Sequence, residues 1–340
     1  MIDLQELKSI LNNDDPQYIE SLAKKAKKLT EQYFGRTISL YTPLYLSNYC
    51  NSHCTYCGFN SHNKMKRFKL TPEQTKQEMS YIANKGIENI LLLTGESHKI
   101  TPLPYLKEAV KIAKNYFPNI SLEVYPMESH EYKELFLSGV DGITIYQETY
   151  DKDRYKELHI SGKKADYNYR RETPYRAAFA GIRYISMGVL LGLSNIAEDV
   201  YCLYQHLKEM ERNFPGIEYS LSFPRLRTVK GENLSFCDVD DITLVKIICL
   251  TRILFPRIGI NLSTRENKNL RDKALGLGVT RISAESNTSV GGYTLETPQE
   301  QSPQFDIKDN RTTKEIIELL KKQNFDPVLT DWRRIKNEVA

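Results

Sequence analysis

The chain has 340 residues, enough for one large α/β barrel or two ordinary domains with a substantial core. Its 47 Lys and Arg against 43 Asp and Glu leave a formal net charge of +4, spread along the chain rather than gathered into a basic arm, so no nucleic-acid partner is expected. No apolar stretch approaches the roughly 20 residues of a bilayer span, and Met1 to Leu11 mixes charge with apolar residues instead of building a signal-peptide core; a cytoplasmic protein without membrane contact is expected.

In chain order, a helical extension is expected over residues 1–35, followed by one catalytic domain over 36–340 that ends in a helical tail. No Ser/Gly/Pro-rich linker divides it. The first strand reads as Leu44 to Ser47. Thr71-Pro72 with Gln74 then supplies a helix cap, a proline at the first helical position and a capping-box partner; Met79, Ile82 and Ala83 share a face, and Gly86 closes the helix. Further strands are predicted at Ile90 to Leu93, Ser121 to Tyr125, Ile143 to Gln147, Tyr184 to Val189, Tyr219 to Phe223, Ile260 to Ser263 and Arg281 to Ala284. Glycines at Gly139, Gly181 and Gly278 return helices to strands, and a last helix reads as Lys314 to Gln323. Eight strands alternating with helices predict an α/β fold, a (β/α)8 TIM-type barrel, with the polar residues that follow each strand gathered on one rim.

Three of the six cysteines, Cys50, Cys54 and Cys57, lie within eight residues directly after the first strand. Cys202, Cys237 and Cys249 are scattered, which no disulfide framework resembles, and they read as small apolar side chains. Three thiolates on a compact loop can hold three irons of a 4Fe-4S cubane and leave the fourth open to a small molecule. Zinc is the alternative, but it normally asks for four ligands; His53 or His62 would have to complete the set, and no second CxxC is present.

The CxxxCxxC spacing, with an aromatic residue before the last Cys and a barrel strand before the loop, resembles the radical S-adenosylmethionine superfamily. That resemblance implies a 4Fe-4S cluster and S-adenosyl-L-methionine as cofactors, with Tyr56 in the cofactor site. The methionine end would chelate the open iron, and reductive cleavage would give a 5′-deoxyadenosyl radical. Thr94-Gly95-Glu96 follows the second strand where the superfamily often carries Gly-Gly-Glu. Glu96 would accept from the methionine ammonium, and Gly95 would let the backbone approach the ligand.

A narrower resemblance runs through Val140 to Tyr150, Arg170 to Pro174, Leu190 to Ser194, Tyr219 to Arg225, Leu262 to Glu266 and Gly291 to Tyr293, from about Gly35 to Trp332. These stretches are similar to the tyrosine lyase branch, which contains the 2-iminoacetate synthases of thiamine biosynthesis and a tyrosine lyase of hydrogenase maturation. It implies Glu148 on the ribose hydroxyls of S-adenosylmethionine and Arg171 on its carboxylate. Arg265, at the end of the seventh strand, is the candidate for the substrate carboxylate, with Ser222 and Ser263 as further substrate contacts. The implied reaction cleaves the Cα–Cβ bond of L-tyrosine to p-cresol and 2-iminoacetate, with a thiazole synthase partner and a flavodoxin or ferredoxin reductant. No cysteine follows Cys249, which favours the thiamine-type reaction over the hydrogenase-maturation type. A tryptophan-cleaving relative and a non-catalytic zinc- or cluster-binding scaffold are the alternatives.

Overall fold

The computed structural model describes residues 2–226, 236–295 and 303–330; Trp332 and the end of the predicted helical tail lie outside them. Eight parallel strands form the barrel: β1 Thr37–Ser47, β2 Asn89–Thr94, β3 Asn119–Glu123, β4 Gly142–Glu148, β5 Tyr184–Val189, β6 Glu218–Ser222, β7 Gly259–Leu262 and β8 Arg281–Ser283. Each pairs with the next, and β8 returns to β1 through Ser39↔Arg281 and Leu40↔Ile282, which closes the ring. The short strand Asp326–Val328 adds to the lower end of β1.

The predicted strands recur within two residues at either end, except β1, which starts at Thr37 instead of Leu44. Its first half carries Thr37, Ser39, Tyr41 and Thr42 between apolar residues, so it lacks the continuous apolar run that marks a strand buried on both faces. The helix Pro72–Asn84 has the predicted capping box: Gln74 N donates to Thr71 Oγ1 at 3.2 Å and Thr71 N to Gln74 Oε1 at 2.9 Å. Met79 and Ile82 are buried beneath it, each contributing about 1.5–3 kcal/mol of apolar transfer. Glu78, on the same helix, is fully buried and accepts from the backbone N–H groups of Tyr293, Thr294 and Leu295 at 2.9 Å each. The Gly291-Gly292-Tyr293 stretch is therefore anchored to a barrel helix.

The N-terminal extension comprises α1 Leu4–Leu11 and α2 Pro16–Phe34, and both pack on the barrel's outer helices. Lys246, buried on the helix Asp241–Leu254, donates to Leu11 O at 2.7 Å, Asn13 O at 2.9 Å and Asp14 Oδ1 at 2.9 Å. One desolvated ammonium thus satisfies the carbonyls between the two helices and ties them to the barrel. Within the ring the floor is polar: Asn261 Nδ2 donates to Ser186 Oγ at 2.9 Å and Ser220 Oγ at 3.0 Å, and Arg281 lies 5.0 Å from the ring centres of both Tyr41 and Tyr184. The site sits above this floor, at the C-terminal ends of the strands.

Candidate active site

The cysteine loop leaves β1 and is tied down on every side. Arg67 donates to Asn48 O at 2.6 Å, Phe59 O at 2.8 Å and Asn60 O at 2.6 Å, bracketing the loop with one planar fork. His53–Cys54 pairs antiparallel with His159–Ser161. The Tyr155 carbonyl accepts from His159 Nδ1 at 2.7 Å, which leaves Nε2 to accept from the Tyr56 hydroxyl at 2.8 Å. Burial pushes the His159 imidazole down to about 3, in keeping with this neutral tautomer. A Cβ on Gly95 would stand 2.4 Å from Tyr49 O and 3.1 Å from Cys50 Cβ. Its missing side chain lets the loop after β2 press against the cysteine loop, and Asn51 N donates to Glu96 O at 2.9 Å across the same contact.

Cys50, Cys54 and Cys57 line one cavity together, with Gly95, Glu96 and Arg170. Burial raises all three thiols, Cys50 to about 11. His53 and His62 stack on each other at a centroid distance of 3.9 Å. Among the described residues no three His, Cys, Asp or Glu side chains are arranged to hold a single metal ion, the geometry a zinc site needs. A cubane instead takes one thiolate at each of three corners.

Beside the thiols stands a compact charge cluster. Arg170 donates to Glu96 Oε1 at 2.7 Å and through Nε to Tyr146 O at 2.6 Å, and its other nitrogen lies 3.6 Å from Glu148 Oε1. Lys164 donates to Glu148 Oε1 at 2.6 Å. Burial pushes the Glu148 carboxyl up, but the Lys164 and Arg170 cations outweigh it and hold the group below its usual range. Glu148 has φ 73° at a bulge in β4, a left-handed conformation that costs a β-carbon-bearing residue about 1–2 kcal/mol. Glu96 Oε2 is buried and has no hydrogen-bond partner. An acceptor left open next to three thiols fits the ammonium of an S-adenosylmethionine whose methionine end reaches a cluster held there.

A second cavity adjoins the first and shares Cys57, Glu123, Tyr146, Glu148 and Lys164 with it. Its far wall is Ser263, Arg265 and Phe305, and the Tyr56 ring also lines it. The Arg265 guanidinium lies 3.7 Å from the centre of the Phe305 ring, and its Nε is buried without a hydrogen-bond partner. Glu266, its sequence neighbour, is taken by Arg225 through Nε at 3.0 Å. Arg265 thus carries a desolvated cation with no ion pair among the described residues.

Of the residues singled out from sequence, the cavities bring together Cys50, Cys54, Cys57, Tyr56, Glu96, Glu148, Ser263 and Arg265. Two stand apart. Arg171 pairs with Glu209 at 3.0 Å near the surface, with about a third of its side chain exposed, and lines neither cavity, whereas its neighbour Arg170 lines the cysteine cavity. Ser222 is buried and lines neither cavity. Sequence reasoning missed Arg170, Lys164 and Glu123. Glu123 left a signal, a carboxylate at the end of an otherwise apolar strand.

Residues 44–201 match the Radical SAM superfamily, and 222–326 match the Biotin and Thiamin Synthesis associated domain. The 2-iminoacetate synthases of Salmonella typhimurium and Escherichia coli are each 38% identical over 328 residues, covering 96% of this chain and 86% of theirs. Among solved structures, the FeFe-hydrogenase maturase HydG from Carboxydothermus hydrogenoformans superposes with a TM-score of 0.89 at 32% identity, over 96% of this chain and 76% of that one. Methylornithine synthase (PylB), at 22% identity and a TM-score of 0.78 over 96% of this chain and 94% of its own, shares the fold. Family membership implies a 4Fe-4S cluster and S-adenosylmethionine, for which the three thiols and the open Glu96 oxygen are suited. By this similarity the chain belongs to the radical S-adenosylmethionine superfamily, in the family of the 2-iminoacetate synthases.

Proposed function

We propose that this enzyme cleaves the Cα–Cβ bond of L-tyrosine to p-cresol and 2-iminoacetate, serving thiazole formation in thiamine biosynthesis. The observation that carries the reading is Arg265: a half-buried guanidinium, its Nε enclosed and unpartnered, on the wall of a cavity that opens onto the cysteine pocket. An amino-acid substrate brings a carboxylate that must be desolvated there, and a planar, permanently charged fork suits it. When bound, the cluster and S-adenosylmethionine together supply the 5′-deoxyadenosyl radical that takes a hydrogen atom from the substrate. The chain's own residues bind and orient. Cys50, Cys54 and Cys57 hold the cluster. Glu96 accepts from the methionine ammonium, Arg170 takes the methionine carboxylate in place of Arg171, and Glu148 accepts from the ribose hydroxyls. The Tyr56 ring, fixed by its bond to His159, walls the cofactor.

Arg265 holds the tyrosine carboxylate, with Ser263 beside it; Ser222 lies outside both cavities. A flavodoxin or ferredoxin is the proposed reductant and a thiazole synthase the proposed acceptor of 2-iminoacetate. The test is anaerobic incubation of the reconstituted protein with S-adenosylmethionine, reductant and each aromatic amino acid. Formation of p-cresol from tyrosine is expected. Cleavage of tryptophan alone, or no 5′-deoxyadenosine from any of them, would refute the reading.

A further inference from the structure

Glu123 is the one carboxylate of the site left without a role. It closes β3, in register with Leu93 of β2, and its side chain lines both cavities at their junction. No hydrogen bond or ion pair reaches it among the described residues, although Lys164, Arg170 and Arg265 stand close enough to act on it and Glu148 opposes them. Tyr41 and Tyr45 of β1 and Tyr146 of β4 line the same cavity. A half-buried carboxylate in the midst of three cations, contacting none of them, is positioned for a ligand.

The proposed reaction supplies one. Hydrogen-atom removal from the substrate nitrogen needs a neutral amine, because an ammonium has no lone pair to stabilise the nitrogen radical. Tyrosine arrives as the zwitterion, so a proton must leave first. The hydrogen is taken where the two ligands meet, which is the junction Glu123 lines. With the substrate carboxylate on Arg265, the amino group is the charged group that remains to be bound, since the phenol of tyrosine is neutral.

We propose that Glu123 receives the amino group of the substrate and removes its proton, so that the amine is neutral when the hydrogen atom is taken. One ammonium N–H bond breaks and its electron pair stays on nitrogen; an O–H bond forms on Glu123. No electron is exchanged in this step. The inference rests on the tyrosine-lyase reading above. Burial, with Glu148 adding to it, pushes the Glu123 carboxyl up to about 7, closer to the range of an α-amino group, so the transfer is less uphill than to an ordinary carboxylate.

Two measurements test it on the cluster-loaded enzyme. In the unreduced state, where nothing turns over, Glu123→Gln should weaken tyrosine binding about 10- to 150-fold, the loss of one charge-assisted contact. Binding of 3-(4-hydroxyphenyl)propionate, which lacks the amine, should change by about twofold or less. Under reducing conditions at pH 7, the variant should form 5′-deoxyadenosine but little p-cresol. Its p-cresol yield should rise about tenfold per pH unit towards the range where the free amine titrates, while Glu123→Asp keeps the wild-type pH dependence at a lower rate. Equal weakening of both ligands, or a Glu123→Gln pH profile parallel to wild type, would overturn the assignment. Absence of p-cresol from the wild type would instead count against the tyrosine-lyase reading, and the binding comparison would still decide whether Glu123 meets an amine.

Discussion

Replacement of Arg170 and Arg171, neighbours in sequence with opposite surroundings, tests the cofactor assignment most directly. Arg170 is 5% exposed and makes two bonds shorter than 2.8 Å, to Glu96 and to the Tyr146 carbonyl, besides its approach to Glu148. Arg170→Ala leaves Glu96 without its ion-pair partner and Glu148 with Lys164 alone, and removing one member of such a buried pair costs about 3–5 kcal/mol. Arg170→Lys keeps the charge but loses the fork and the Nε bond. For it we expect S-adenosylmethionine affinity to fall about 10- to 150-fold, the 1.5–3 kcal/mol of a charge-assisted contact. Arg171→Ala removes an ion pair whose partners are 34% and 48% exposed, worth about 0–1 kcal/mol in solvent, and should leave affinity within about twofold. The assay is anaerobic equilibrium dialysis of labelled S-adenosylmethionine against cluster-loaded protein, with the thermal midpoint of each variant recorded beside it. A tenfold loss in Arg171→Ala together with normal binding in Arg170→Lys would show that the inward-facing arginine has been misassigned.

Three further outcomes follow from the same contacts. Arg265→Lys should keep 5′-deoxyadenosine formation while the p-cresol formed per 5′-deoxyadenosine falls on the order of tenfold to a hundredfold, since a misplacement of about 1 Å at a radical site is costly; normal coupling would place the substrate carboxylate elsewhere. Gly95→Ala puts a methyl 2.4 Å from Tyr49 O, so the cysteine loop must shift, and iron retained after reconstitution should drop well below that of wild type; full retention would mean the loop yields freely. Burial pushes the imidazole of His206 down to about 3 from an unfolded value near 6.5, so its contribution to stability is complete above pH 6.5 and is lost as pH falls towards 3. Between pH 6.5 and 5 the loss approaches about 1.4 kcal/mol per pH unit, and denaturant unfolding of His206→Gln should show a correspondingly flatter pH dependence than wild type. Asp199, raised to about 6 by burial, acts in the opposite sense in both proteins, so the difference between them isolates the histidine.

The barrel was legible because most strands are continuous apolar runs closed by glycines, and the Thr71–Gln74 capping box is a local signal that packing does not overrule. The cysteines stood out by their spacing, whereas Glu96 and Glu148 were singled out through the family resemblance of the segments that carry them. Arg170 was not. The helix Tyr167–Arg171 is five residues long, and neighbours on a helix differ by about 100° in direction, so nothing local tells which arginine faces the barrel. Lys164 sits on the 3-10 turn Lys163–Ala165 beside a second lysine, where the same ambiguity holds. Glu123 was readable in principle. In β3 the side chains of Ile120 and Leu122 alternate with those of Ser121 and Glu123, and a strand covered on both faces leaves an ionisable residue only the ring's interior or its rim.

The charges of the site divide by function in the way its ligands require. Glu96 with Arg170 and Glu148 with Lys164 are already paired across 2.7 and 2.6 Å. A zwitterionic methionine end entering between them must share those partners, so each new contact is partly an exchange for an old one. Glu123 and Arg265 face the adjoining cavity without such partners, and a second zwitterion can meet both without displacing a contact. Desolvating two opposite charges and leaving them unpaired is unfavourable in the free protein, and a ligand that satisfies both recovers that cost on binding. On the proposed assignment the substrate subsite is the preorganised one, and its discrimination falls on ligands that lack either the amine or the carboxylate, because such a ligand leaves a half-buried charge unmatched.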